Sequence, residues 1–464
     1  MNFIKKILKN EKVKNIFMVV LALITIAAVS FAAISFWGMN SDELLNFDEW
    51  TPENNYGIIE TDEENEAMIG IQNNFEKPLK RDENTLVIWD YTDNNVLKGA
   101  INDYKKKNKN INIIIENEGM PSFDYLENKI EQGEGPDIVY IDQVYSVSMG
   151  EHGLLKDLNK YGANKINDKF VKSTVPSISF NKKQYALPFA SNTIVMLYNK
   201  TALSEANVKV PVTHEEFMKA CNGLKKEFGQ IYDAYTVPFY TQENKNWLVF
   251  NYFFYLWRMG GDILSDDLKS AVFNSKDGIE ALQLIVDMKN KGIINSDYKE
   301  QSFFDGYVGF LDNGTWQMNK ITGKDKKADV DIGIAMLPVL KKGIKPYSGL
   351  GLNCYAVAES SRNPKLAYDF IEFYCTDPKY QIDLCKLNNF IPTLKEAQED
   401  GFYKTPEWGT IIKQLENSKY RPSVPNWEKI ESIITNAIIA ALNGNMSPTD
   451  ALNAAAKSVD KQLK

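Results

Sequence analysis

At 464 residues, with 44% hydrophobic and 25% charged side chains, the chain has the composition of an ordinary globular protein of about two to three domains. A formal net charge of −8, with no Lys/Arg run interleaved with aromatics beyond the N-terminus, excludes a nucleic-acid partner, because neutralising phosphates requires a basic face. Only two histidines are present, which argues against imidazole catalysis and imidazole-built zinc sites, and no cofactor is expected.

Residues 1–15 carry Lys5, Lys6, Lys9, Lys12 and Lys14, and an uncharged apolar run of 22 residues follows from Ile16 to Trp37. About 20 such residues span a bilayer, and lysines on the near side remain in the cytoplasm. The run exceeds the roughly 7–15 apolar residues of a cleaved signal peptide. An uncleaved signal-anchor over 16–37 is therefore expected, with small residues such as Ala32 and Ala33 leaving cleavage open. No cysteine follows the run to accept a lipid. Residues 38–84 are rich in Asp and Glu and read as a solvated linker, since such a segment buries too little apolar area to offset its ordering entropy. The folded part is thereby expected at the outer face of the cytoplasmic membrane.

From Thr85 onward, short apolar runs alternate with amphipathic segments: strand "TLVIW", helix "NVLKGAINDYKKKN", strand "INIIIE", helix "SFDYLENKIEQG", strand "PDIVYI". This β-α-β-α-β order predicts a mainly parallel sheet covered by helices, with ligands bound beyond the carboxyl ends of its strands. Trp89, Asp90 and Tyr91 fall at one such exit, and Tyr140, Asp142 and Gln143 at another. His152 reads as a turn residue in "GEHGLL". His214 lies between Thr213 and Glu216, which have the spacing of a capping box. The stretch from about 193 to 338 is helix-rich and holds the aromatic segment "WLVFNYFFYLWRMGG", in which Trp257 is expected in the core. Strands return in "YSGLGLNCYAVAESS", followed by helix "PKLAYDFIEFYCT" and a last amphipathic "IESIITNAIIAALNG". Strands, a helix-rich insertion and strands again imply two lobes crossed several times by the chain, which favours hinge bending. Cys221, Cys354, Cys375 and Cys385 show no CxxC spacing and read as buried free thiols.

The segments "EGPDIVYID" (134–142), "KKQYALPFASNTIVMLYNKTAL" (182–203), "SKDGIEALQLIVDMKNKGII" (275–294), "FFDGYVGFLDNGTWQM" (303–318), "IGIAMLP" (332–338), the run from Tyr347 to Gln381, and "YRPSVPNW" (420–427) together resemble the extracellular solute-binding proteins of ABC transporters, in the sugar-binding group that includes maltose-binding protein. The likeness extends from about Thr85 to the C-terminus. It implies an α/β, two-lobed, periplasmic-binding-protein-like fold of type II, with mixed, mainly parallel sheets, flanking helices and a hinge. One lobe would comprise 85–192 and 343–392, and the other 193–342 and 393–464. The sequence departs from the pattern at Lys182, where Gly is frequent after Asn, and at Val308 and Gly309.

By resemblance, the ligand-contacting positions are Trp89, Asp90, Tyr91, Tyr140, Asp142, Asn192, Tyr240, Trp247, Trp316, Gly349, Asn353 and Trp427, with Gly351 beside them. Asp137 of "GPD" reads as a turn or cap residue. Flat rings facing the C–H faces of a sugar, with carboxylates and amides for its hydroxyls, suit a mono- or oligosaccharide. No Arg stands among these positions, which fits an uncharged solute. A polyamine held by Asp90 and Asp142 between rings is the alternative ligand class. The implied partners are ABC permease subunits, with the chain acting as a monomer and not as an enzyme; a membrane-anchored sensor and a two-carboxylate glycosidase are the competing functions.

Overall fold

A computed structural model gives the structure over residues 82–90, 95–116, 123–228, 233–236, 245–294, 300–322 and 330–464, with backbone alone for the element ends at 225–228, 233–236, 245–247 and 322. The expected membrane segment 16–37, the linker to residue 81, and Tyr91 and Tyr240 lie outside the described residues, and Trp247 is described by its backbone only. Among the described residues, no helix is long and apolar enough to cross a membrane.

The five residues of β1 (Thr85–Trp89) are all buried. Strands β2 (Asn112–Glu116) and β3 (Ile138–Asp142) flank it in parallel, joined through α1 (Asn95–Lys107) and α2 (Phe123–Glu131). A crossover helix is what a parallel pair requires. Asp142 ends β3 and serves as N-cap of α3 (Gln143–Glu151), its carboxylate accepting from Val144 N at 3.1 Å.

A tight hairpin of β4 (Ser179–Phe180) and β5 (Lys183–Gln184) precedes β6 (Leu187–Asn199), a 13-residue strand around which the molecule is organised. As far as Thr193, β6 pairs antiparallel with β10 (Ser348–Val357). From Ile194 it pairs with β8 (Val308–Gly314) and β9 (Ile332–Ala335), and β7 (Asp233–Thr236) adds in parallel to β8. Because β10 also pairs antiparallel with β3, the sheet is ordered β2-β1-β3-β10-β6-β8-β7. The expectation of a mainly parallel sheet is corrected by this arrangement: the outer strands are parallel, but along the main strand order every pairing from β3 to β8 is antiparallel. The reason is that β6 and β10 carry the chain between the halves in opposite directions. Short strands β11 (Ile391–Pro392) and β12 (Ser418–Lys419) attach to β6 and β10.

Around the second half lie α4 (His214–Phe228), α5 (Lys245–Met259), α6 (Lys276–Asn290), α10 (Trp427–Leu442) and α11 (Pro448–Gln462). Helices α7 (Pro364–Thr376) and α8 (Pro378–Asn388) cover the first half, and α9 (Pro406–Leu415) lies under the crossing strands. The capping box forms as read: Glu216 Oε2 accepts from Thr213 N at 3.1 Å, and Glu216 N donates to Thr213 Oγ1 at 3.3 Å. Four helices in this set start with Pro in the first turn, where its missing N–H costs nothing. Residues just past Pro392 bind the first half, with Val171 N donating to Thr393 O at 2.8 Å and the Gln381 amide bracketing Thr393. The lobe boundary expected at 392/393 had given that stretch to the second half.

All four cysteines are free and buried. Burial pushes the thiols of Cys354, Cys375 and Cys385 well above their ordinary range. Trp257 is 1% exposed, as expected of a core ring. Asp137 is structural, accepting from Val87 N at 2.9 Å and from Ser361 Oγ at 2.7 Å.

Candidate functional site

The register of β10 collects several of the expected residues. Asn353 stands opposite Asp142 and Gly351 opposite Asn192, so Asp142, Asn192, Gly349, Gly351 and Asn353 share one face of the sheet at the carboxyl end of β3. Asp142, Asn192 and Asn353 are each half-buried. The glycines are demanded by packing. A Cβ on Gly351 would lie 2.2 Å from Asn192 Oδ1, and one on Gly349 would lie 2.5 Å from ring atoms of both Phe250 and Phe254. The amide of Asn192 therefore rests on bare backbone, and α5 closes onto the strand.

Trp316 adds an aromatic surface beside this shelf. Gly314, the last residue of β8, pairs with Ile194, two positions along β6 from Asn192. The Trp316 ring folds back over Gly314, where a Cβ would come within 2.0 Å of it, and stays half-buried. A flat ring next to two amides and a carboxylate is the combination that suits the apolar and hydroxyl faces of a polyol.

Four other expected residues turn into the interior. Trp89 is 2% exposed, with its indole N–H donating to Glu116 Oε2 at 2.7 Å and its ring 5.5 Å from Tyr125. Asp90 is 1% exposed and accepts from the Tyr355 phenol at 2.6 Å; Tyr140 lies 4.6 Å from the Tyr355 ring. Burial and the Asp90 carboxylate push the Tyr355 phenol well above its ordinary range, so it stays a proton donor. Trp427 is fully buried, 6.0 Å from Phe253. Alternation along β1 explains the first pair: both faces of that strand are covered, so neither neighbour has a solvent side.

The residue that sequence reasoning missed is Arg421. Its Nη2 lies 3.3 Å from Asp142 Oδ2, its Nη1 3.4 Å from Glu431 Oε1, and its guanidinium 4.9 Å above the Phe250 ring. Nearby, Ser148 Oγ donates to Glu428 Oε2 at 2.8 Å. Burial pushes the carboxyls of Glu428 and Glu431 upward, with Arg421 opposing the rise at Glu431. Burial, reinforced by Glu431 and Asp142, likewise raises the Tyr145 phenol. The only signal in the chain was a lone Arg in "YRPSVPNW". Asp142 is 279 positions away, and no spacing rule reaches that far.

A family model of bacterial extracellular solute-binding proteins matches residues 99–409. The maltotriose-binding protein of Pyrococcus abyssi is 26% identical over 329 residues, 68% of this chain and 68% of that protein. The galactooligosaccharide-binding protein of Bacillus subtilis is 23% identical over 393 residues, covering 82% of this chain and 89% of that one. Among solved structures, the cyclic α-maltosyl-1,6-maltose binding protein of Arthrobacter globiformis matches with a TM-score of 0.72 at 24% identity, over 82% of this chain and 99% of that chain. The likeness shows the fold: two lobes of the periplasmic-binding-protein type, with a mixed sheet and flanking helices.

Proposed function

The chain belongs to the bacterial extracellular solute-binding proteins, and from that membership we propose that it captures a mono- or oligosaccharide between its lobes and delivers it to the permease subunits of an ABC importer. The observation that carries this reading is the shelf of Asp142, Asn192 and Asn353 on one sheet face, with Trp316 beside it. Relatives whose names specify maltotriose and galactooligosaccharides support a carbohydrate over a polyamine. They are binding proteins, in keeping with capture and release without bond cleavage.

In this reading the contacting set is Asp142, Asn192, Trp316, Gly349 and Asn353, with Tyr91, Tyr240 and Trp247 as further candidates. Trp89, Asp90, Tyr140 and Trp427 support the site from behind. The lobes are 85–192 with 343–392, and 193–342 with 393–464, the first residues past Pro392 staying bound to the first lobe, and they pivot where β6 changes partners. The apolar run 16–37 anchors the protein, as a monomer, at the outer face of the cytoplasmic membrane.

Closure removes water from both walls, and a solute shifts the balance only through its tighter binding to the closed form. The test is a thermal-shift screen of maltotriose, galactooligosaccharides and spermidine. A solute at a hundredfold its Kd stabilises the folded state by about 2.7 kcal/mol, so a saccharide should raise the melting temperature while spermidine leaves it unchanged. Silence from every saccharide would sink the assignment.

A further inference from the structure

Two carboxylates from distant parts of the chain meet at one guanidinium. Asp142 closes β3 and caps α3, within the half built on β1, β2 and β3. Glu431 stands in α10, which packs into the other half: Trp427 lies against Phe253 of α5, and Lys289 of α6 donates to Leu442 O at 2.8 Å. Arg421, in the segment between β12 and α10, joins them, with its side chain only 11% exposed and its flat group over Phe250. The Ser148 to Glu428 hydrogen bond is a second link between α3 and α10. The first link ends at Asp142, which stands opposite Asn353 on the shelf.

We infer that Arg421 is a positioning residue that clasps the two lobes together over the cleft, an inference that rests on the solute-capture reading above. The links form only while α3 and α10 are close, so they stabilise the closed arrangement whether or not a solute is present. Their charges are largely withdrawn from water, where screening by salt is weak and a lone partner is costly. An uncharged solute cannot replace either carboxylate at the guanidinium; it adds its own contacts to a cleft already biased toward closure. Apparent affinity scales with the fraction of protein in the binding-competent form, so the clasp sets how much solute is needed.

Asp142→Asn removes one charge while keeping a good helix N-cap, and Glu431→Gln removes the other charge without touching the shelf. The full chain in detergent, spin-labelled through Asn128→Cys and Lys457→Cys on α2 and α11, reports the distance between lobes by electron–electron double resonance. Without solute, each variant should show a longer and broader distance than the parent. Saturating maltotriose should restore the parent distance, at an affinity lowered about tenfold if the competent fraction falls by that factor. Without solute, the double variant should show a distance no longer than either single one, because one shared clasp is lost. Unchanged solute-free distances in both variants would overturn the inference. So would a weaker affinity for Asp142→Asn alone with its distance unmoved, which marks Asp142 as a solute contact only. A parent protein that ignores every saccharide defeats the solute reading instead, while the solute-free distances still decide the clasp.

Discussion

Trp316 is the residue on which the binding proposal can be tested most directly. Its ring is half-buried and lies over the backbone of Gly314, so its removal leaves no closed cavity in the core. Fully buried Trp→Ala changes cost about 3–5 kcal/mol of stability, whereas an aromatic anchor at a binding surface is worth about 2 kcal/mol or more of binding. Trp316→Ala should therefore weaken saccharide binding by roughly thirtyfold in calorimetry while the unfolding midpoint in urea moves little. A collapse of the unfolding midpoint instead would identify the ring as core. Trp427 makes the opposite case: it is fully buried, and its indole belongs to the packing of α10 on α5.

At the scale of elements, the β4–β5 hairpin shows what a departure from the family pattern does to the backbone. Asn181 and Lys182, which connect the two strands, have φ of 48° and 66°. A two-residue turn with positive φ at both positions prefers Asn followed by Gly, because a Cβ in the left-handed region costs about 1–2 kcal/mol. Glycine loses roughly 0.5–1 kcal/mol more chain entropy on folding, so the two effects partly cancel. Lys182→Gly should leave a net stabilisation of about 0.5 kcal/mol, read as a higher urea midpoint at unchanged slope. The contact of this turn with its surroundings survives the change, since Asn159 Nδ2 donates to the Lys182 carbonyl and not to its side chain. A lower midpoint would show that the lysine side chain matters more than its backbone angle.

For the whole molecule, the proposed pivot lies on the two crossing strands. At the point where β6 changes partners, Thr193 Oγ1 donates to Gly349 O at 3.0 Å and Ser348 Oγ donates to Ile194 O at 2.8 Å. These bonds tie β6 to β10 across the proposed pivot, so a rotation of the lobes there would twist the pair as a unit. The proposed anchor sets where that motion takes place. If residues 16–37 are retained, membrane-fraction protein from the native host should yield peptides that include the N-terminal lysines in mass spectrometry. Protein beginning after Ala33, recovered from the medium, would overturn the anchor and leave the solute proposal standing.

What the chain determined by itself was local. The apolar run in "TLVIW", the Thr213–Glu216 spacing and the apolar periodicity of α10 each specify an element, because their interactions span a few residues. The resemblance added the two-lobed plan, and with it a set of strand exits. Tertiary structure alone decided which exit residues turn into the interior. Trp89 and Asp90 read as exposed at the end of a strand, yet Glu116 and Tyr355 draw them inward. Arg421 carried no visible role until folding brought Asp142 and Glu431 to it. Burial and ion pairing depend on which surfaces meet, and that is fixed by packing between segments far apart in sequence, beyond the reach of any local pattern.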